Sequence, residues 1–170
     1  KTLDKSNLIY ADAIYLKALC EKETASPEAE KDLQYFADNF KGHPKTNNAY
    51  FHLGDLAYAR ANYNDALAFF DKVDESGLTG KDVTEFQYKR AFSNFALKKF
   101  GVARGYFNQI AVNKKHPYNE EGYYYSGLSS YYLKDYNAAY KSFQQLETSK
   151  KYSKIVPYYI TAIKFINKDY

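Results

Sequence analysis

The sequence predicts an all-α chain, and three observations carry that expectation. First, small or apolar residues recur at helical spacing through Ala49 to Val73: Tyr50, Leu53, Gly54 and Ala57, then Ala66, Phe69, Phe70 and Val73. An i, i+3, i+4, i+7 pattern is one face of a helix, and here it occurs twice in succession. Second, Tyr123, Gly127, Tyr136, Ala139, Phe143 and Leu146 match Tyr50, Gly54, Tyr63, Ala66, Phe70 and Val73 at a constant offset of 73. His43-Pro44 and His116-Pro117 obey the same offset. Third, Ser26-Pro27-Glu28 is a helix start, with a serine cap and proline in the first turn, and Gly42-His43-Pro44 is a stop.

Taken in order, Leu3 to about Glu21 reads as a helix with Leu8, Ala11, Ile14/Tyr15 and Ala18/Leu19 on one side. The next, Pro27 to Lys41, aligns Ala29, Leu33, Phe36 and Phe40, with Ala29 and Leu33 in the Ala66 and Phe70 slots. The register of the first helix stays open, because its residues diverge and the link is long. In the central hairpin, Asn62 and Asn64 suit a turn or helix start, since short polar side chains bond the backbone. Gly54 faces Ala66, and a glycine kept mid-helix at a cost of roughly 1 kcal/mol implies close packing. Asp74 to Lys81 is a turn containing Gly77 and Gly80. Asp82 to Lys98 and Val102 to Val112 form the next pair, with Ala91, Ala103, Phe107 and Ile110 in the packing slots at an offset of 37. Its first helix matches poorly, having Gln87 and Arg90 in the Tyr50 and Leu53 slots. Lys134-Asp135-Tyr136 returns as Lys168-Asp169-Tyr170, which makes Ile155 to Asn167 a further first helix.

The spacing Tyr50-x2-Leu53-Gly54-x2-Ala57, then Ala66-x3-Phe70, resembles a tetratricopeptide repeat, although Ala57 stands where that family favours tyrosine and the closing proline is missing. The resemblance implies a right-handed superhelical solenoid of antiparallel helix pairs. Approximate repeats are 3–42, 47–80, 84–116 and 120–153, with a half-repeat at 154–170, all in one array over 1–170. A half-repeat leaves a face unpaired, so the chain is expected to be a piece of a longer protein. Its Tyr- and Lys-rich composition is also similar to that of arrays in large bacterial envelope proteins.

Composition excludes several classes. With 170 residues, 45% of them hydrophobic, the chain can form a sizeable core or a compact array and is not expected to be disordered. The net charge of +4 is mild. Its lysine pairs fall mostly at expected helix ends, where cations complement the dipole, so no nucleic-acid partner is expected. No apolar run approaches the ~20 residues of a membrane span. The single Cys20 cannot form an internal disulfide and reads as a small buried hydrophobe. The chain begins at Lys1 and holds no Met, which suggests processing or excision and leaves the compartment open.

No catalytic constellation, metal site or cofactor motif is expected. His43 and His116 read as turn residues and His52 as a helix residue, without the converging ligands that a metal needs. Gly77 to Lys81 lacks the full phosphate-loop spacing. The expected function is therefore a non-enzymatic interaction scaffold, with a spacer or oligomerisation segment, capable of self-association, as the alternative.

In the resembled family the first helix of each repeat lines the concave surface. One residue round from the packing stripe, about 100° away, runs a second stripe: Phe51, Asp55, Tyr58; Tyr88, Phe92, Phe95; Tyr124, Leu128, Tyr131; and Tyr158, Ala162, Phe165. Phe51, Tyr88, Tyr124 and Tyr158 make one aromatic row, and Tyr58, Phe95, Tyr131 and Phe165 another. These rings either pack between neighbouring first helices or line a groove, and packing edge to edge with hydroxyls on the groove serves both. The expected partner is a protein or peptide segment with apolar anchors. With an aromatic first row and an acidic Asp55, no carboxylate clamp is expected.

Overall fold

The computed structural model describes residues 5–167. Leu3 and Asp4, and the echo at Lys168-Asp169-Tyr170, lie outside the described residues. Among those described there are nine α-helices, α1 (Lys5–Glu23), α2 (Glu28–Asn39), α3 (Thr46–Ala59), α4 (Tyr63–Phe70), α5 (Lys81–Ala96), α6 (Phe100–Val112), α7 (Asn119–Tyr132), α8 (Tyr136–Gln144) and α9 (Val156–Asn167), and no strand. A 3-10 turn at Glu75–Gly77 lies between α4 and α5. The fold is all-α and repeat-like, and the predicted helices lie within a few residues of those observed.

The chain divides into two compact units, Lys1–Phe86 and Gln87–Tyr170. In the first, α1 packs on α2, α2 on α3 and α3 on α4. Its core joins Ala11, Tyr15, Ala18, Leu33, Phe36, Ala37, Phe40, Ala49 and Leu53. In the second, α6 packs on α7, α7 on α8 and α8 on α9. One core there contains Ala91, Ala103, Phe107 and Ile110, the four residues expected to replace Gly54, Ala66, Phe70 and Val73. Another contains Leu128, Ala139, Phe143, Leu146, Val156, Ile160 and Ile163.

The repeat is clearest in the backbone. Ala25, Ala61, Lys98 and Lys134 all adopt left-handed φ, between 54° and 61°, at the turn joining each hairpin. Beyond each, the next residue's N–H donates to the carbonyl five residues back: Ser26 to Glu21 (2.8 Å), Asn62 to Ala57, Lys99 to Asn94 and Asp135 to Ser130 (2.9 Å each). This Schellman arrangement satisfies carbonyls that a helix end leaves unpaired. The turns also fix the register of α1. Ala25 precedes Ala61 by 36 residues, so the buried Ala18 is the counterpart of Gly54.

Gly54 has the packing role its position implied. A Cβ there would run into the Phe70 ring, and a Cβ on Gly127 would lie 2.7 Å from the equivalent Phe143. Gly122 meets backbone instead, because a Cβ would lie 2.7 Å from the Ala111 amide nitrogen, and this lets α7 approach α6. The poor match of α5 is compensated locally. Gln87 Oε1 lies 3.0 Å from His116 Nε2, and the Arg90 guanidinium lies 4.3 Å from the Tyr106 ring centroid.

One expectation is corrected, and the turn histidines lie where expected. Cys20 is exposed, because α1 buries the Ala11, Tyr15, Ala18 stripe and Cys20 lies about 200° round from Ala18. The turn histidines are buried, with their rings bonded to the chain. His43 Nδ1 accepts the Lys45 N–H at 3.2 Å, and His116 Nδ1 accepts the Tyr118 N–H at 3.1 Å. Ser149 does the same job with its hydroxyl, accepting the Lys151 and Tyr152 N–H groups.

Candidate functional site

The first aromatic row is largely covered. In the first unit Phe51 is only 2% exposed and belongs to the core. In the second unit, Tyr88 is stacked on Tyr118 at 4.4 Å and 19°, and Tyr124 on Tyr152 at 4.5 Å and 20°. Both covering rings come from the turns that His116 and Ser149 hold. In the equivalent place of the first unit, Lys45 Nζ lies 5.4 Å from the Tyr15 ring centroid. Burial pushes the Tyr152 phenol up to about 12 and raises that of Tyr124 further, so both hydroxyls remain protonated at neutral pH.

The middle column is also occupied. Asp55 pairs with Lys22 at 2.8 Å, both side chains being mostly buried, and so offers a partner no unpaired negative charge. Leu128 is buried in the core. Phe92 is half-buried and packs edge-on against Tyr125 at 5.3 Å.

In three hairpins the second row closes the turn. Tyr58 meets Tyr63 at 5.8 Å, Phe95 meets Phe100 at 5.5 Å and Tyr131 meets Tyr136 at 5.6 Å, all edge to face between 64° and 71°. Each pair spans the left-handed residue, and this geometry matches the edge-positive, face-negative charge distribution of the rings. The i, i+5 spacing of these pairs was available in the sequence, whereas Tyr118 and Tyr152 lie in turns with no helical periodicity to mark what they cover. Tyr158 and Phe165, on α9, are the exposed members of the two rows, at 75% and 70%.

One surface is both aromatic and open. Phe95, Ala96, Lys98, Phe100 and Tyr132 enclose a groove of about 490 Å³ in the second unit. Phe100 and Tyr132 are stacked at 4.6 Å and 18°, and Tyr132 is 55% exposed. Phe95 alone of these five belongs to the expected site. Phe100, Tyr132 and Lys98 lie off the first-helix stripe: the turn brings Lys98 and Phe100 beside Phe95, and the packing of α6 on α7 brings Tyr132. A smaller polar cavity of about 50 Å³ lies among Gln87, Arg90, Tyr106, Gln109, Ile110, Asn113 and His116.

Among the described residues no three His, Cys, Asp or Glu side chains cluster to hold a metal ion. No helix among them is long and apolar enough to cross a membrane. No protein-family model, curated protein or solved structure matches the chain.

Proposed function

We propose that the chain is a tetratricopeptide-like array of about four helix hairpins and a half, working as a non-enzymatic scaffold that holds a protein segment with apolar anchors. The right-handed superhelical stacking of its hairpins belongs to this reading. The four left-handed turns, each with the same hydrogen bonds, and the Gly54–Phe70 and Gly127–Phe143 contacts support it. The observation that carries the binding function is the open groove of Phe95, Phe100 and Tyr132, where large apolar surface meets solvent. Elsewhere the two rows are mostly stacked or buried, so the groove is where an apolar anchor gains most by leaving water.

Selection of random twelve-residue peptides on the chain tests this reading. Selected peptides should share one or two bulky apolar positions and lose affinity for Tyr132→Ser, whose circular dichroism should match the parent. Failure to select any binder, or binders indifferent to this change, rejects the groove as a scaffold site.

The spacer and self-association reading has its own support in Tyr158 and Phe165, which place two large rings on the outer face of α9. Sedimentation as a function of concentration separates the two readings. Self-association should disappear in the Tyr158→Ser, Phe165→Ser double variant, whereas a monomer at all concentrations argues against it.

A further inference from the structure

We infer that the groove at the α5/α6 turn takes an acidic peptide segment: a bulky apolar side chain enters between Phe95, Phe100 and Tyr132, and flanking carboxylates meet Lys98 and Lys99. This rests on the scaffold reading and names the partner chemistry of that surface.

Shape and lining make the apolar half of the argument. The stacked Phe100 and Tyr132 rings form one wall, Phe95 meets Phe100 edge-on, and Ala96 leaves the space between them unfilled. A volume of about 490 Å³ falls within the range of concave sites that hold a ligand group.

Charge makes the other half. The four hairpin turns share one backbone, but the residue after the left-handed position is Ser26, Asn62 or Asp135 in three of them and Lys99 in this one. Asn62 and Asp135 accept N–H groups of the following helix, and Asp135 also accepts from Arg104 at 2.8 Å. Lys99 does neither, and it follows another cation, Lys98, on the groove's rim. Both ammonium groups are exposed and have no ion-pair partner among the described residues, and no carboxylate lines the groove. Two like charges beside an apolar wall attract an anionic partner and repel a cationic one.

The test uses two fluorescein-labelled synthetic peptides with the same Phe-Leu-Phe centre, one flanked on each side by three acidic residues and the other by three lysines. Anisotropy should show the acidic peptide binding at least about ten-fold tighter at low salt, with the preference shrinking as salt rises. Lys98→Glu with Lys99→Glu should invert the preference, and Tyr132→Ser should weaken the acidic peptide about ten-fold or more. Amide shifts of the unaltered chain, titrated with the acidic peptide, should concentrate at residues 95–100 and 132, which keeps the test independent of how the variants fold. Equal affinity for the two peptides, both weakened by Tyr132→Ser, overturns the acidic preference and leaves the scaffold reading standing. No binding of either peptide, binding indifferent to Tyr132→Ser, shifts elsewhere, or a second copy of the chain occupying the groove overturns the inference. The scaffold reading itself falls only if the random selection also yields no groove-dependent binder.

Discussion

The turn between α3 and α4 and the turn between α5 and α6 have the same backbone and opposite surfaces. Both pass through a left-handed residue, Ala61 or Lys98, and both close with an edge-to-face ring pair, Tyr58–Tyr63 or Phe95–Phe100. At the first, Asn62 caps α4 by accepting the Asp65 N–H. At the second, Lys99 gives α6 no side-chain cap, and the neighbouring surface opens into a groove. The difference teaches that the hairpin is specified by a few packing and turn positions. The side chain after the left-handed residue can then vary, and with it the surface that the turn presents.

The strongest way to break this comparison is to remove the ring that both hairpins share. Phe70→Ala and Phe107→Ala should each lower stability by about 3–5 kcal/mol, because each deletes a fully buried ring and leaves a cavity. Urea denaturation reads this directly. A cost at one site and none at the other would show that the two hairpins do not share a packing logic.

Next in size is Gly54→Ala. Helix propensity alone favours alanine by about 1 kcal/mol, but the new methyl meets the Phe70 ring, and overpacking costs about 1–3 kcal/mol. Thermal melts should show net destabilisation. In contrast, Ala91→Gly, at the equivalent place facing Phe107, should cost only about 1 kcal/mol through propensity.

Exchanging the caps sharpens the comparison. Asn62→Ala should cost about 0.5–2 kcal/mol, and Lys99→Asp should gain a similar amount by supplying the missing acceptor. The same Lys99→Asp change should weaken acidic-peptide binding, so stability and binding move in opposite directions. A smaller gain, about 0.5–1 kcal/mol each, is expected for Ala61→Gly and Lys98→Gly, since glycine tolerates left-handed φ without the Cβ penalty. Equal increases in melting temperature would confirm that both turns bear the same strain.

The last effect depends on pH. Burial lowers the pKa of His116 below its ordinary 6.5, opposed by the nearby Glu121 carboxylate. The unfolded chain therefore binds the proton more readily than the folded one. The stabilisation is complete above about pH 6.5 and is lost as pH falls through the lowered value, because an imidazolium Nδ1 can no longer accept the Tyr118 N–H. His116→Asn, which keeps an acceptor, should flatten this part of the stability profile.

Some of the site was legible and some was not. The i, i+3, i+4 spacing located the core faces because a helix brings those positions together whatever its neighbours are. The same reasoning put Phe51, Tyr88 and Tyr124 one step round the helix but could not show what covers them. Tyr118 and Tyr152 reach the latter two from turns that His116 and Ser149 hold, and a turn has no helical period to show which ring it covers. Asp55 read as a negative charge on a binding face, yet Lys22 of α1 neutralises it. That pairing depends on the register of α1, which its own diverged residues leave open.

By itself the sequence determined the helices, their pairing into hairpins and the close approach of the two helices at Gly54 and Gly127. Each of these follows from spacing along one or two adjacent helices, while the structure showed that the rings of Phe70 and Phe143 fill that approach. Only the tertiary structure decided which aromatic rings remain in contact with water. Exposure depends on residues distant in sequence: Tyr132 stacks on Phe100 across 32 positions and leaves the groove open, whereas Tyr152 stacks on Tyr124 and covers it.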